Sequence, residues 1–97
     1  MAFIQIIEMR SKNFHELQAL GDEFFAATEG KRTVARSIVT TDRNDPDHHM
    51  VIVFFDSYEE AMKNSNLPET GAFSEKLQGL LDGPPTFYDL DVVEERS

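Results

Sequence analysis

Six consecutive apolar residues, Met50 to Phe55, constrain the fold of this chain more than any other segment. The run is rich in β-branched and aromatic residues and far too short to span a membrane, so it predicts a strand that is covered on both faces. A helix start follows at once, because Ser57 is a good N-cap and Glu60, three residues later, completes a capping box. A buried strand that runs directly into a capped helix is the place where we expect a site to lie.

The remaining segments alternate between strand and helix patterns. Strands are predicted over Phe3–Arg10, Thr33–Thr41 and Thr86–Glu95, and helices over Asn13–Thr28, Ser57–Asn66 and, after Leu67-Pro68, from Glu69 or Thr70 to Gly83. In the second of these strands, residues Val34, Arg36, Ile38 and Thr40 are expected to share one face. The order is therefore strand, helix, strand, strand, helix in two pieces, strand.

Local signals refine these boundaries. Asn13 is a candidate N-cap with Glu16 as its capping partner, and Gly30 is expected to adopt the left-handed conformation that ends the helix. Gly21, in the middle of that helix, is expected to allow close packing against the sheet. The polar segment 42–48 is expected to be a hairpin loop, whose Asp residues suit turns. No metal site is predicted there, because the spacing of its Asp and His residues implies no fixed ligand geometry.

This element order predicts an α+β fold of the ferredoxin-like βαββαβ type, in one domain over residues 1–97. Two right-handed crossovers place the helices on one face of a four-stranded antiparallel sheet. The strands Phe3–Arg10 and Met50–Phe55 nevertheless carry apolar residues on both faces. Because a large exposed apolar face is adhesive, we expect a homodimer packed sheet face to sheet face, giving a barrel-like core.

Composition excludes several classes of function. The formal net charge of −9 disfavours nucleic-acid partners and anionic membrane surfaces, which both require basic residues. The chain has no cysteine, so it has no disulfide, thiolate nucleophile or iron–sulfur ligand. No apolar stretch or leader pattern indicates insertion or export, and a cytoplasmic location is expected.

The segment after the buried strand also carries a family resemblance. The matching residues are Val53–Asn64, then Leu67-Pro68, Phe73 and Leu77. They resemble the antibiotic-biosynthesis-monooxygenase-like domains of the dimeric α+β barrel superfamily. In that family the strand typically ends in Trp and the helix closes on His, and here Phe55 and Asn64 stand at those positions. An Asn cannot act as a general base or as a haem ligand.

The resemblance implies a ligand pocket between the helices and the sheet, and chemistry without a cofactor on small aromatic or polyketide-like molecules. The candidate pocket residues are Gln5, Phe24, Phe55, Tyr58, Met62, Asn64 and Phe73. His49 is the candidate proton-transfer group, because the ordinary pKa of an imidazole lies near neutrality, and Arg36 is the candidate anion or carbonyl clamp.

Each polar candidate also has a purely structural explanation. Gln5 fits a satisfied buried amide or a residue at the sheet rim, and His49 fits a strand-end residue bonded to the backbone. Arg36 fits a dimer contact or an ion pair with an acidic strand residue, with Glu8, Asp89 and Asp91 as candidates. Two functions therefore remain open: a cofactor-independent monooxygenase-like enzyme, and a non-catalytic dimeric module that binds a small ligand or serves in a stress response. No nucleophile–base pair or phosphate loop is recognisable.

Overall fold

Four strands and three helices make up the fold of the computed structural model, which describes residues 1–97. Their bounds are β1 Phe3–Arg10, α1 Phe14–Ala27, β2 Val34–Asp42, β3 Asp45–Phe55, α2 Tyr58–Ser65, α3 Pro68–Gln78 and β4 Thr86–Asp91. The strands form one antiparallel sheet in the order β2-β3-β1-β4. The predicted βαββαβ, ferredoxin-like arrangement is confirmed.

The strand register defines the two faces of the sheet. Met9 packs with Leu20 of α1 and Leu77 of α3, while Phe55 packs with Ala61 of α2, so these strand residues mark the face that the helices cover. Alternation along the paired strands then assigns the other face. We call this other side the open face; its apolar residues are Ile4, Ile6, Ile38, Met50, Ile52, Phe54, Tyr88 and Leu90.

Burial within the protomer is sparse. Only ten of the 97 residues are buried, and the apolar ones divide into two clusters, one around Phe3, Phe55 and Ala61 and one around Met9, Leu20 and Leu77. No apolar residue of the open face is buried. This small core leaves the apolar residues of the open face at least partly exposed to water in the protomer.

Some predicted boundaries are wrong. Most of the expected loop 42–48 belongs to strands, and the hairpin turns over only Arg43 and Asn44. The Asp42 carboxylate accepts a hydrogen bond from the Asn44 amide at 2.8 Å, which closes this tight turn. Pro46 is tolerated because the register shifts there, from Asp42 opposite Asp45 to Thr41 opposite His49.

Two further expectations about β2 and α1 are also wrong. A second register shift, between Val34 and Arg36, puts Val34 on the helix side, away from the other three residues of its predicted face. A Cβ added at Gly21 would meet no atom within 4 Å, so close packing does not explain this glycine. Gly30 does adopt a left-handed φ of 80°, as predicted.

The remaining helix and strand ends are shorter than their patterns suggest. The helix α3 ends at Gln78, although Leu80 and Leu81 beyond it still pack on the core, and β4 ends at Asp91 instead of Glu95. None of the helices is long and apolar enough to cross a membrane.

Candidate functional site

The two predicted aromatic residues Phe24 and Phe73 face each other between α1 and α3, with ring centroids 4.9 Å apart. They wall a cavity of about 100 Å³, which we call the aromatic cavity. Its lining consists of Leu20, Glu23, Phe24, Ala27, Glu69, Ala72, Phe73 and Lys76. Ligand pockets usually measure roughly 300 Å³ or more, so a molecule larger than a single ring would have to move the two helices apart.

Glu69 supplies the unusual polar group of this cavity. Its Oε1 accepts a hydrogen bond from Lys31 Nζ at 3.3 Å, whereas its Oε2 is buried without any hydrogen-bond partner. A second ion pair, Lys76 Nζ to Glu23 Oε1 at 2.7 Å, links α3 to α1 at the same cavity. A buried, unpartnered carboxylate oxygen is costly, and this one belongs to a residue that lines the cavity.

Sequence reasoning did not single out Glu69. Pro68 is the first residue of α3, so Glu69 lies in the first helical turn. Acidic residues are common there, because they complement the helix dipole, and the sequence offers no sign that one of the oxygens is buried.

The other predicted aromatic residues lie in a different cluster. Phe55 is 4% exposed and packs at 6.3 Å from the Phe3 ring, which Tyr58 also meets edge-on at 5.3 Å. Tyr58 and Met62 are 52% and 40% exposed. None of these three predicted lining residues reaches the aromatic cavity.

Asn64 and Gln5 are both held by the protein itself. Asn64 is buried, its Oδ1 accepts from the Thr33 amide at 3.4 Å, and its backbone carbonyl accepts from Thr70 Oγ1 at 2.6 Å. Gln5 lies on the helix side of the sheet and donates from Nε2 to Asp89 Oδ1 at 3.1 Å. Asn64 therefore joins the end of α2 to the start of α3, and Gln5 is a satisfied amide.

His49 is enclosed by protein atoms, with 1% of its surface exposed. Its ring stacks on Phe14 at a centroid distance of 4.5 Å, and Nδ1 lies 3.0 Å from Thr41 Oγ1. Its Nε2 lies 3.4 Å from the Ser11 carbonyl oxygen. Both ring nitrogens therefore have partners within the protein, and the catalytic role predicted for His49 stays a prediction.

Arg36 projects from the open face, on the side of the sheet away from the aromatic cavity. Its guanidinium lies 5.5 Å from the centroid of the Phe54 ring. It takes part in none of the seven ion pairs of the protomer. The structure therefore does not bring Arg36 and His49 together, nor either of them to Phe24, and the clamp role also stays a prediction.

The open face carries a polar cluster that sequence reasoning missed. His48 Nε2 lies 2.8 Å from Glu8 Oε2, and His48 Nδ1 lies 2.9 Å from Asp42 Oδ2. Tyr88 donates its hydroxyl to Glu8 Oε1 at 3.0 Å. We call Glu8, Asp42 and His48 the carboxylate–histidine cluster. The sequence did not reveal it, because its members come from three strands whose register is set only by the folded sheet.

The cluster shifts the protonation equilibria of its members. Hydrogen bonds to Asp42 and Glu8 raise the pKa of His48, so the protonated ring with two N–H donors is favoured. Hydrogen bonding to His48 in turn lowers the pKa of both carboxyls, assisted by Tyr88 at Glu8 and by the Asn44 amide at Asp42. Two carboxylates around a single imidazole leave the cluster with at least one excess negative charge.

No group of three or more acidic or histidine side chains is arranged to hold a metal ion. The neighbours His48 and His49 point to opposite faces of the sheet, as adjacent strand residues must.

The fold resembles several solved structures over nearly its whole length. A variant of SnoaB, a cofactor-independent oxygenase from Streptomyces nogalater, matches with a TM-score of 0.83 and 8% identity over 97% of this chain and 95% of its own. A Caulobacter crescentus protein described as an antibiotic biosynthesis monooxygenase gives 0.83 and 12%, over 96% and 91%. A Mycobacterium tuberculosis protein gives 0.82 and 14%, over the full length of both chains.

No family model matches the sequence, and no curated protein matches it either. At these low identities the structural likeness is a likeness of fold. The predicted resemblance to the antibiotic-biosynthesis-monooxygenase-like proteins, with their dimeric α+β barrel fold, is confirmed at that level.

Proposed function

We propose that this chain acts as a homodimer, packed open face to open face, that binds a small apolar or aromatic molecule between α1 and α3 of each protomer. One observation supports the dimer above all: none of the apolar residues of the open face is buried in the protomer. Covering this surface with a second copy would remove it from water and enlarge a core that now holds few residues.

The oligomeric state is tested by light scattering at micromolar concentration. We expect twice the 11.1 kDa mass of one chain. Ile52 lies in the middle of the open face, so Ile52→Glu is expected to give a folded monomer. Val93→Glu makes the same change in charge at a residue that is 90% exposed and outside the sheet, and should leave the dimer intact. A wild-type monomer would overturn the proposal.

The aromatic cavity suggests the chemistry of the ligand. Phe24 and Phe73 offer ring faces for stacking, and Glu69 Oε2 lacks a donor. A hydroxylated aromatic molecule meets both requirements, since its ring packs on the Phe side chains and its hydroxyl donates to the carboxylate.

Isothermal titration calorimetry with phenol and benzene, each a single ring, tests this assignment. Ala72 lines the cavity and Ala26 is an exposed residue of α1 outside it, so Ala72→Leu should abolish binding whereas Ala26→Leu should not. Glu69→Met removes the acceptor at similar length and should weaken the binding of phenol more than the binding of benzene. Equal weakening of both compounds, or binding that survives Ala72→Leu, would place the ligand elsewhere.

Cofactor-independent oxygenation of such a molecule is the second candidate function. It is favoured by the likeness of fold to SnoaB and by Glu69, because a carboxylate that lines the cavity is the type of group that can accept a proton from a bound phenol. An oxygen electrode with a dihydroxybenzene and no added flavin or metal distinguishes the two functions. Oxygen uptake by the wild type that Glu69→Met abolishes would support the enzyme, and binding without uptake would support the non-catalytic module.

A further inference from the structure

Arg36 is a cation without an anionic partner on a face that is otherwise largely apolar. It is exposed, lies against the Phe54 ring and joins no ion pair of the protomer. Such a guanidinium is suited to an interface, because it is weakly hydrated and binds carboxylates through two parallel hydrogen bonds.

The carboxylate–histidine cluster lies at the opposite end of the same face. Arg36 is level with Phe54 and Ile4, whereas the cluster is level with the pair Arg10 and His48. Arg36 and Asp42 are six positions apart in β2, which corresponds to about 20 Å of strand. The open face therefore has one positive end and one negative end.

The nearby cation Arg10 acts electrostatically on both the Glu8 and the Asp42 carboxyl, but it offsets the charge of the cluster only in part. Arg10, the closest cation, donates to Asp45 Oδ2 at 2.7 Å, and this pairing holds the pKa of Asp45 down. Asp47 and Asp82 add negative charge around Arg10. The excess charge of the cluster therefore persists, and burying it under a second sheet would be unfavourable without an added cation.

Symmetry determines what faces the cluster in a homodimer. Two sheets packed face to face are related by a two-fold axis that lies between them. If this axis ran along the strands, the negative ends of both copies would meet. If it runs across the strands, the positive end of each copy lies over the negative end of the other, and both copies gain the same contact.

We propose that, in the homodimer put forward above, Arg36 of the partner subunit binds the carboxylates of the carboxylate–histidine cluster, twice per dimer, with the two-fold axis running across the strands. The cluster of each protomer lacks a cation, and the partner subunit supplies it. This contact selects the relative orientation of the two sheets, because the apolar part of the face has no comparable directionality.

Charge reversal with mixing of variants tests the contact. Arg36→Glu and Asp42→Arg should each weaken the homodimer by roughly a hundredfold, because each places like charges together at both contacts. A mixture of the two variants should form a heterodimer of near wild-type affinity, since both of its contacts again join opposite charges. Glu8→Arg is a second partner for Arg36→Glu, in case Asp42→Arg disturbs the hairpin turn.

Sedimentation equilibrium provides the readout, with Lys12→Glu as a control that makes the same charge change in the β1–α1 connection, outside the sheet. A wild-type monomer would defeat the homodimer and this contact together. A wild-type dimer that Arg36→Glu leaves within about twofold in Kd would defeat the contact alone. The contact would also be refuted if Arg36→Glu weakened the dimer and neither mixture restored its affinity, since the loss would then not depend on the charges of the cluster.

Discussion

Replacing Ser11 by Ala should destabilise the fold far more than a serine in a short connection would suggest. Ser11 is 1% exposed, and its hydroxyl joins two segments that are distant in sequence. The hydroxyl donates to the Leu80 carbonyl at 2.6 Å and accepts from the Asn13 amide at 2.9 Å. It therefore attaches the start of α1 to the segment after α3.

The magnitude follows from these two hydrogen bonds. Each contributes about 1 kcal/mol, and leaving the Leu80 carbonyl without a donor in a partly buried position adds a desolvation cost. We expect Ser11→Ala to lower the free energy of unfolding by about 2 to 3 kcal/mol. For a domain of this size that loss corresponds to a decrease in Tm of roughly 10 °C or more.

Urea unfolding followed by far-UV circular dichroism measures the effect, since the chain has no Trp for fluorescence. The protein concentration must be held constant, because dissociation of a dimer contributes to the apparent stability. Ser65→Ala, at the exposed end of α2, is the matched control and should change the stability by less than about 0.5 kcal/mol.

Asn13→Ala provides a sharper comparison. The sequence predicts that the Asn13 side chain caps α1, but in the structure it makes no capping hydrogen bond, so this substitution should cost little. The conclusion that the Ser11 hydroxyl fixes the start of α1 would be refuted by either of two results. One is that Ser11→Ala destabilises no more than Ser65→Ala, and the other is that Asn13→Ala destabilises as much as Ser11→Ala.

Three further predictions follow from single residues. Ser57→Ala should destabilise by about 1 kcal/mol in urea unfolding, because the Ser57 hydroxyl accepts from the Glu60 amide at 3.2 Å. Gly30→Ala should destabilise the fold by about 1 kcal/mol, because Gly30 has a left-handed φ of 80°. Gly71→Ala should instead stabilise it by about 0.5–1 kcal/mol, because Gly71 lies in α3 with open space where a Cβ would be. Changes in stability of the same sign for both variants would contradict this. The pKa of His48 is raised, so the stabilisation from its cluster should be complete below the ordinary value of 6.5 and disappear as the pH rises through the raised value. His48→Gln should flatten that decline in the urea midpoint, and an unchanged pH profile would contradict the assignment.

The sequence predicts the architecture well because the fold depends on periodic patterns. The bounds of β1 agree residue for residue, and the Ser57 side chain caps α2 as predicted, although the Glu60 carboxylate pairs with Lys63 and does not complete the capping box. Errors occur where register decides the outcome. The hairpin turn, the side occupied by Val34 and the early end of β4 all depend on pairing between strands, which composition within a strand does not encode.

The candidate site is less predictable for the same reason. Phe24 and Phe73 meet because both belong to apolar helix stripes that pack together. Residue type alone groups Arg36 with His49, yet a strand presents alternate residues to opposite faces, and the two lie on different sides of the sheet. The buried oxygen of Glu69 depends on the approach of two helices, which no local pattern specifies.

The position of β1 between β3 and β4 has a consequence for synthesis on the ribosome. The β2–β3 hairpin closes over a two-residue turn, so it can form as soon as both strands have emerged. The first strand to be made, however, pairs Phe3 with Asp91, almost the whole chain away. Long-range pairing of this kind is slow and aggregation-prone, so the nascent chain exposes one hydrogen-bonding edge of β1 until β4 is complete. We expect chaperones that bind nascent chains to be needed during that interval, and to be displaced by the last strand.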